Sequence, residues 1–130
     1  MKNNASIILT DSSGQSRDFR IVLLQAAFSD LQCALQSFSS ISNYHGYMMK
    51  ADALISILEV VDCGSVGGFD RENKCVHTTG IIIYDRFLTV LRKYDDEQHI
   101  KPVAGFTPGR LTIGYKRLYT LREDIPYPTE

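Results

Sequence analysis

The chain has no tryptophan, four prolines and three cysteines among its 130 residues. An odd number of cysteines without close pairs argues against a disulfide framework and favours a reducing compartment. The 14 Lys and Arg residues nearly balance the 15 Asp and Glu residues, so no overall field attracts nucleic acid or an anionic membrane. The N-terminal apolar run Ile7–Leu9 is too short for a signal-peptide core or a membrane span. We therefore predict a cytoplasmic protein without a membrane or nucleic-acid partner.

The composition that remains is that of an ordinary globular protein. Hydrophobic residues make up 44% of the chain and charged residues 22%, with no low-complexity segment. A chain of 130 residues is long enough to bury a hydrophobic core without disulfides or metals. We predict one domain over residues 1–130, with an extended proline-containing tail at about 124–130, where prolines exclude a helix or a central strand.

The N-terminal part of the sequence predicts a β-hairpin. Ala5–Thr10 and Arg17–Leu23 are short segments on either side of the polar stretch Asp11–Gly14. Phe19, Ile21 and Leu23 alternate with other residues, which is the period of a strand. Glycine in the connection suits a tight turn.

After Leu24, the period changes to that of an amphipathic helix. Apolar residues recur at spacings of three and four, which predicts a helix over about Gln25–Ser40. Two other starts are compatible with the sequence: one near Ser16, and one at Ser29, where Gln32 would complete a capping box. The polar stretch Ser39–Gly46 is predicted to separate this helix from the next element.

Two further helices are predicted in the middle of the chain. The first covers about residues 50–62 and ends at Gly64, with these residues on its apolar face: Ala51, Leu54, Ile57 or Leu58, and Val61. Its many β-branched residues also suit a buried strand, so residues 50–62 and 80–84 remain open between helix and strand. Helical spacing of Phe87, Leu91 and Tyr94 predicts the other helix over Tyr84–Asp96.

The C-terminal part predicts a second hairpin. Thr107–Arg110 holds proline and glycine at the two central positions of a type II turn. Leu111–Leu121 alternates between apolar and polar residues, and Val103–Phe106 is its predicted partner strand. The predicted fold is therefore α+β, with N-terminal and C-terminal β-hairpins and about three helices between them.

Most of the candidate chemistry lies in the glycine-rich loop predicted over residues 62–80. Cys63, Cys75 and His77 have zinc-ligand side chains, but structural zinc sites place two cysteines two to four residues apart, and these cysteines are farther apart. The glycines of Gly64–Gly68 are not followed by the Lys-Ser/Thr pair of a phosphate loop. We predict no metal and no cofactor. The alternative is a small enzyme or ligand-binding domain that uses this loop with Cys75 and His77.

No catalytic motif is recognisable, and the sequence favours a protein that binds another protein. The predicted contact residues are three acids in or beside the loop and two tyrosines before it: Asp62, Asp70, Glu72, Tyr44 and Tyr47. Tyrosines supply large contact areas at interfaces. We expect a small protein of the immunity, antitoxin or inhibitor type, which occludes a partner such as a toxin or a host factor. The oligomeric state does not follow from the sequence.

Overall fold

The computed structural model describes residues 8–64 and 75–98 of the protein. In chain order, the secondary structure elements are β1 (Ile8–Thr10), β2 (Ser16–Asp18), α1 (Phe19–Gln36), α2 (Ile41–Cys63) and α3 (Val76–Gln98). The α+β prediction is wrong for these residues, which are mostly helical and form one N-terminal hairpin. The predicted C-terminal hairpin, over residues 103–121, and the predicted tail at 124–130 lie outside the described residues.

The N-terminal hairpin is confirmed, and its turn is built around one carboxylate. The Asp11 carboxylate accepts the backbone N–H of Ser13 at 2.9 Å and that of Gln15 at 3.0 Å. Gly14 has a φ of +86°, a conformation that glycine adopts without a steric penalty. The Ser13 hydroxyl also donates to this carboxylate at 2.6 Å, and this hydrogen bond, together with the backbone ones, holds the pKa of Asp11 below its usual value. The strands pair antiparallel in this register: Ile8 with Asp18, Leu9 with Arg17, and Thr10 with Ser16.

The second strand is shorter than predicted because Asp18 starts a helix. Its carboxylate accepts the backbone N–H of Arg20 at 2.8 Å, which satisfies one of the unpaired donors at the start of α1. The alternation from Phe19 to Leu23 therefore belongs to a helix rather than to a strand. The predicted first helix is confirmed, but it begins at Phe19 instead of Gln25 and ends at Gln36.

The other two predicted helices are also confirmed, and both are longer than expected. α2 begins at Ile41, so most of the predicted polar break is helical. It ends at Cys63, and the capping residue Gly64 has a φ of +75° and donates its N–H to the Val60 carbonyl at 3.2 Å. α3 begins at Val76, so residues 76–84 are helical and the predicted loop over 62–80 is too long at both ends. Residues 65–74 lie outside the described residues.

Contacts between the helices show that α2 and α3 run in the same direction. The Tyr44 hydroxyl near the start of α2 donates to the Val76 carbonyl at the start of α3, at 3.3 Å. At the other end, Arg20 of α1 contacts both Asp62 of α2 and Tyr94 of α3. α1 is antiparallel to both helices. Consequently, the C-terminal end of α2 and the N-terminal end of α3 lie at opposite ends of the bundle.

The hydrophobic core lies between the three helices. Its fully buried members include Leu24, Leu31, Tyr44, Met48, Ile55, Leu58, Ile83 and Phe87. The predicted apolar face of α2 is only partly correct, because Ala51 and Leu58 are buried whereas Ile57 and Val61 are 44% and 49% exposed. None of the helices in the described ranges combines the length and apolarity needed to cross a bilayer.

Candidate functional site

The first half of α2 forms one wall of a shallow surface depression. The depression has a volume of about 250 Å³ and is lined by Ser42, Asn43, Gly46, Tyr47 and Lys50. Tyr47 is half-buried at this surface, and the Lys50 ammonium lies 5.5 Å from the centre of its ring. This distance is within the range of a cation–π contact, which restricts both side chains. We call this region the Tyr47 depression.

Gly46 lies at the Tyr47 depression and has no packing reason to be glycine. A β-carbon built at this position would meet no atom within 4 Å outside its own helical turn. Gly46 lies within α2, and a glycine inside a helix lowers the free energy of unfolding by about 0.5–1 kcal/mol relative to alanine. The fold would therefore tolerate a side chain here. What the glycine preserves is open space beside Tyr47.

Tyr44, the other predicted contact tyrosine, lies in the core. Its side chain is fully buried, and its ring is nearly perpendicular to that of Phe38, with the ring centres 5.0 Å apart. Its hydroxyl donates to the Val76 carbonyl and so joins α2 to the first residue of α3. A partner would have to open the bundle to reach this side chain.

Asp62, one of the three predicted contact acids, is held inside the bundle. Its side chain is 6% exposed, and its Oδ1 lies 3.2 Å from the Arg20 Nε. The Arg20 guanidinium also lies 4.8 Å from the centre of the Tyr94 ring, so this contact connects all three helices. The other two predicted acids, Asp70 and Glu72, lie outside the described residues.

Cys75 and His77, the alternative catalytic pair, lie at the start of α3. Cys75 is half-buried, and its carbonyl accepts the Thr79 N–H at 3.0 Å in the first turn of the helix. His77 is 6% exposed, and its ring stacks on Phe38 with the centres 5.2 Å apart and an interplanar angle of 23°. In this arrangement, a dissolved substrate has little access to the imidazole.

A charged cluster that the sequence analysis did not identify joins α2 to α3. The Arg86 guanidinium binds both oxygens of Glu59, with Nε–Oε2 at 3.0 Å and Nη2–Oε1 at 2.7 Å. It also donates to the Asp52 carboxylate and, at 3.1 Å, to the Ser56 hydroxyl. Burial alone would lower the pKa of Arg86, but the hydrogen bonds and charges of Glu59 and Asp52 outweigh it and raise this pKa.

This cluster has a structural role, because it links α2 to α3. Arg86 is 9% exposed, and both carboxylates are shared with it rather than presented to solvent. One feature of the sequence indicates this cluster. Asp52, Ser56 and Glu59 are spaced by four and three residues, which places them on one face of a helix. Within the described ranges, no three His, Cys, Asp or Glu side chains are grouped so that they could hold a metal ion.

Comparisons of this chain with protein families, curated proteins and solved structures found no match. The functional assignment therefore depends on the geometry of the described residues.

Proposed function

We propose that this protein acts in the cytoplasm by binding another protein through the Tyr47 depression, and that it occludes a functional surface of that partner. This is the mode of action of immunity proteins, antitoxins and other small inhibitors. The observation that carries the proposal is Gly46, an unneeded helix glycine beside a half-buried tyrosine. Gly46 lowers the stability of the helix and has no packing role. We therefore infer that its lack of a side chain leaves room for a group of the partner.

The chemistry of the Tyr47 depression suits a protein partner. Tyrosine combines apolar contact area with a hydroxyl that can hydrogen-bond, and it is enriched among residues that dominate binding energies. Asn43 and Ser42 add uncharged hydrogen-bonding groups at the rim. An inserted side chain of the partner would contact the Tyr47 ring across the space that Gly46 leaves open.

The proposal is tested by filling the depression. Tagged wild-type protein and the variants Gly46→Leu and Gln25→Leu would be used to capture partners from the native host. Gln25 is exposed on α1, so its variant adds the same side chain outside the depression. We expect a protein that is captured by the wild type and by Gln25→Leu, but much more weakly by Gly46→Leu.

Stability measurements separate lost binding from lost folding. Gly46→Ala is expected to stabilise the protein by about 0.5–1 kcal/mol in urea unfolding, because alanine has the higher helix propensity. It should also reduce affinity for the captured protein once that protein is purified. Undiminished affinity of both Gly46→Ala and Gly46→Leu would contradict the proposal.

A further inference from the structure

The second half of α2 presents an apolar stripe to solvent. The stripe consists of Ala53, Ile57, Val60 and Val61, which are spaced by four, three and one residues and so share one side of the helix. Ile57, Val60 and Val61 are 44%, 51% and 49% exposed. Isolated apolar residues on a surface are normal, but a contiguous group on one helix face marks a contact surface.

The described surfaces of α1 and α2 carry little exposed charge. Among the exposed side chains that the structure describes on α1 and α2, only Lys50 is charged. The exposed residues of α1 are uncharged as well: Gln25, Ser29 and Gln36. Depletion of charge is a property of the central part of protein interfaces. It also means that two copies of this surface can approach each other without strong repulsion between like charges.

We propose that the stripe binds a second copy of this chain, with the two α2 helices antiparallel around a two-fold axis at Ile57. In this register, Ile57 meets its own counterpart, and the small Ala53 faces Val61 of the other copy. Lys50 then faces Gly64, at the end of the other α2 helix. The carbonyl groups at a helix C-terminus carry partial negative charge, so the Lys50 ammonium is attracted to this end.

The overlap from residue 50 to residue 64 is about 21 Å long, given a rise of 1.5 Å per helical residue. A contact of this length between single helices is smaller than a standard protein interface of about 800 Å² per partner. The dimer should therefore dissociate on dilution. The overlap includes Lys50 at the edge of the Tyr47 depression but not residues 42–47, and this inference rests on the apolar stripe rather than on the proposed function.

Sedimentation equilibrium of the full-length chain over a wide range of concentrations tests the dimer. The apparent mass of the wild type should rise with concentration from 14.6 kDa toward twice that value. Ile57→Arg places two like charges at the two-fold axis and should leave a monomer. Lys50→Glu should weaken the dimer by about threefold to tenfold, because it reverses a favourable interaction with the helix end.

Gln25→Arg is the matched control, because it adds the same positive charge on the outward side of α1. It should dimerise like the wild type, and circular dichroism should show that all variants are folded. Val61→Arg is a second variant of the stripe and should also be monomeric. A wild type that stays monomeric overturns the proposal and indicates a foreign protein or another part of this chain as the occupant. A dimer that survives both stripe variants overturns it as well.

Discussion

The two long sides of α2 differ in a way that is unusual for a helix of a small bundle. The side that faces α3 carries Asp52 and Glu59, both bound to Arg86. The side that faces solvent carries Ile57, Val60 and Val61, each 44–51% exposed. A surface helix ordinarily directs apolar residues inward and charged residues outward. Here, part of the charge lies between helices and part of the apolar surface faces solvent.

The difference separates residues that specify the fold from residues that are available for binding. An apolar side chain can pack against any other, whereas Arg86 matches Asp52, Ser56 and Glu59 in one alignment of α2 and α3. We therefore infer that the charged side sets how the two helices align. The outward side has no such task in the described structure, which is why both the Tyr47 depression and the apolar stripe are found there.

The largest expected effect follows from removing the cation of the charged side. Arg86→Met would leave the Asp52 and Glu59 carboxylates without their shared partner, which should lower the free energy of unfolding by about 3–5 kcal/mol. Urea unfolding measures this change. Arg92→Met, at an exposed position on α3, should change stability by less than about 0.5 kcal/mol. Equal effects of the two variants would contradict the structural role of the cluster.

The Arg20–Asp62 contact should have the next largest effect. Asp62→Asn removes the charge that faces the Arg20 guanidinium, and we expect a loss of about 1–3 kcal/mol in unfolding free energy. Gln25→Glu, the reverse exchange of amide and carboxylate at an exposed position on α1, should be nearly neutral. If Asp62→Asn were equally neutral, Asp62 would behave as a surface acid, and a direct role in partner binding would regain support.

Tyr44 and Tyr47 offer a comparison within one helix. Tyr44→Phe removes a buried hydroxyl that donates to the Val76 carbonyl, and it should cost about 0.5–1.5 kcal/mol. Tyr47→Phe should leave stability nearly unchanged, because this ring lies at the surface depression. Thermal unfolding of the two variants at the same pH measures the difference. A larger loss for Tyr47→Phe would contradict the assignment of Tyr44 to the core.

The smallest effect is a pH-dependent one at Asp30. Partial burial raises the pKa of Asp30 above its ordinary value of 3.8, and the positive charge of Lys50 opposes this shift. A carboxyl whose pKa is higher in the folded state stabilises the fold below its unfolded pKa, and this contribution is lost as pH rises through the folded pKa. Asp30→Asn should therefore stabilise the protein slightly at pH 7.

Urea unfolding of Asp30→Asn at neutral pH and near pH 3 checks the sign of this effect. The advantage of the variant over the wild type should shrink as the pH falls and the wild-type carboxyl becomes protonated. A variant that is less stable than the wild type at neutral pH would show that attraction to Lys50 outweighs the cost of burial.

Sequence reasoning located the three helices and the first hairpin because their signals are local. The apolar residues of α1 recur at intervals of one helical turn. Gly14 and Gly64 determine the backbone conformation only at their own positions. The strand predicted through Leu23 was wrong because one capping residue, Asp18, outweighed a short alternating pattern. The β-branched residues of 50–62 also left a strand open as an alternative. This segment is helical, because packing of the helix against the rest of the protein outweighs the preference of these residues for strands.

The inward side of α2 could not be chosen from its own sequence. Apolar residues occur nearly all around its second half, so the spacing of Ala51, Leu54, Ile57 and Val61 fits a helix without identifying its buried side. What selects that side is contact with residues of the other two helices, both in the apolar core and at Arg86. The Tyr47 depression was anticipated only through Tyr47 itself, because the significance of Gly46 depends on the open space around it.

Ile55 faces the core, whereas Ile57, two residues away, faces solvent. Urea unfolding of Ile55→Ala and Ile57→Ala, at protein concentrations low enough to avoid dimers, measures this difference between the two sides of α2. Ile55→Ala should lose about 2–5 kcal/mol of unfolding free energy, because it leaves a cavity among the helices. Ile57→Ala should lose less than about 0.5 kcal/mol. Equal losses, or a larger loss for Ile57→Ala, would contradict the assignment of the two sides of α2.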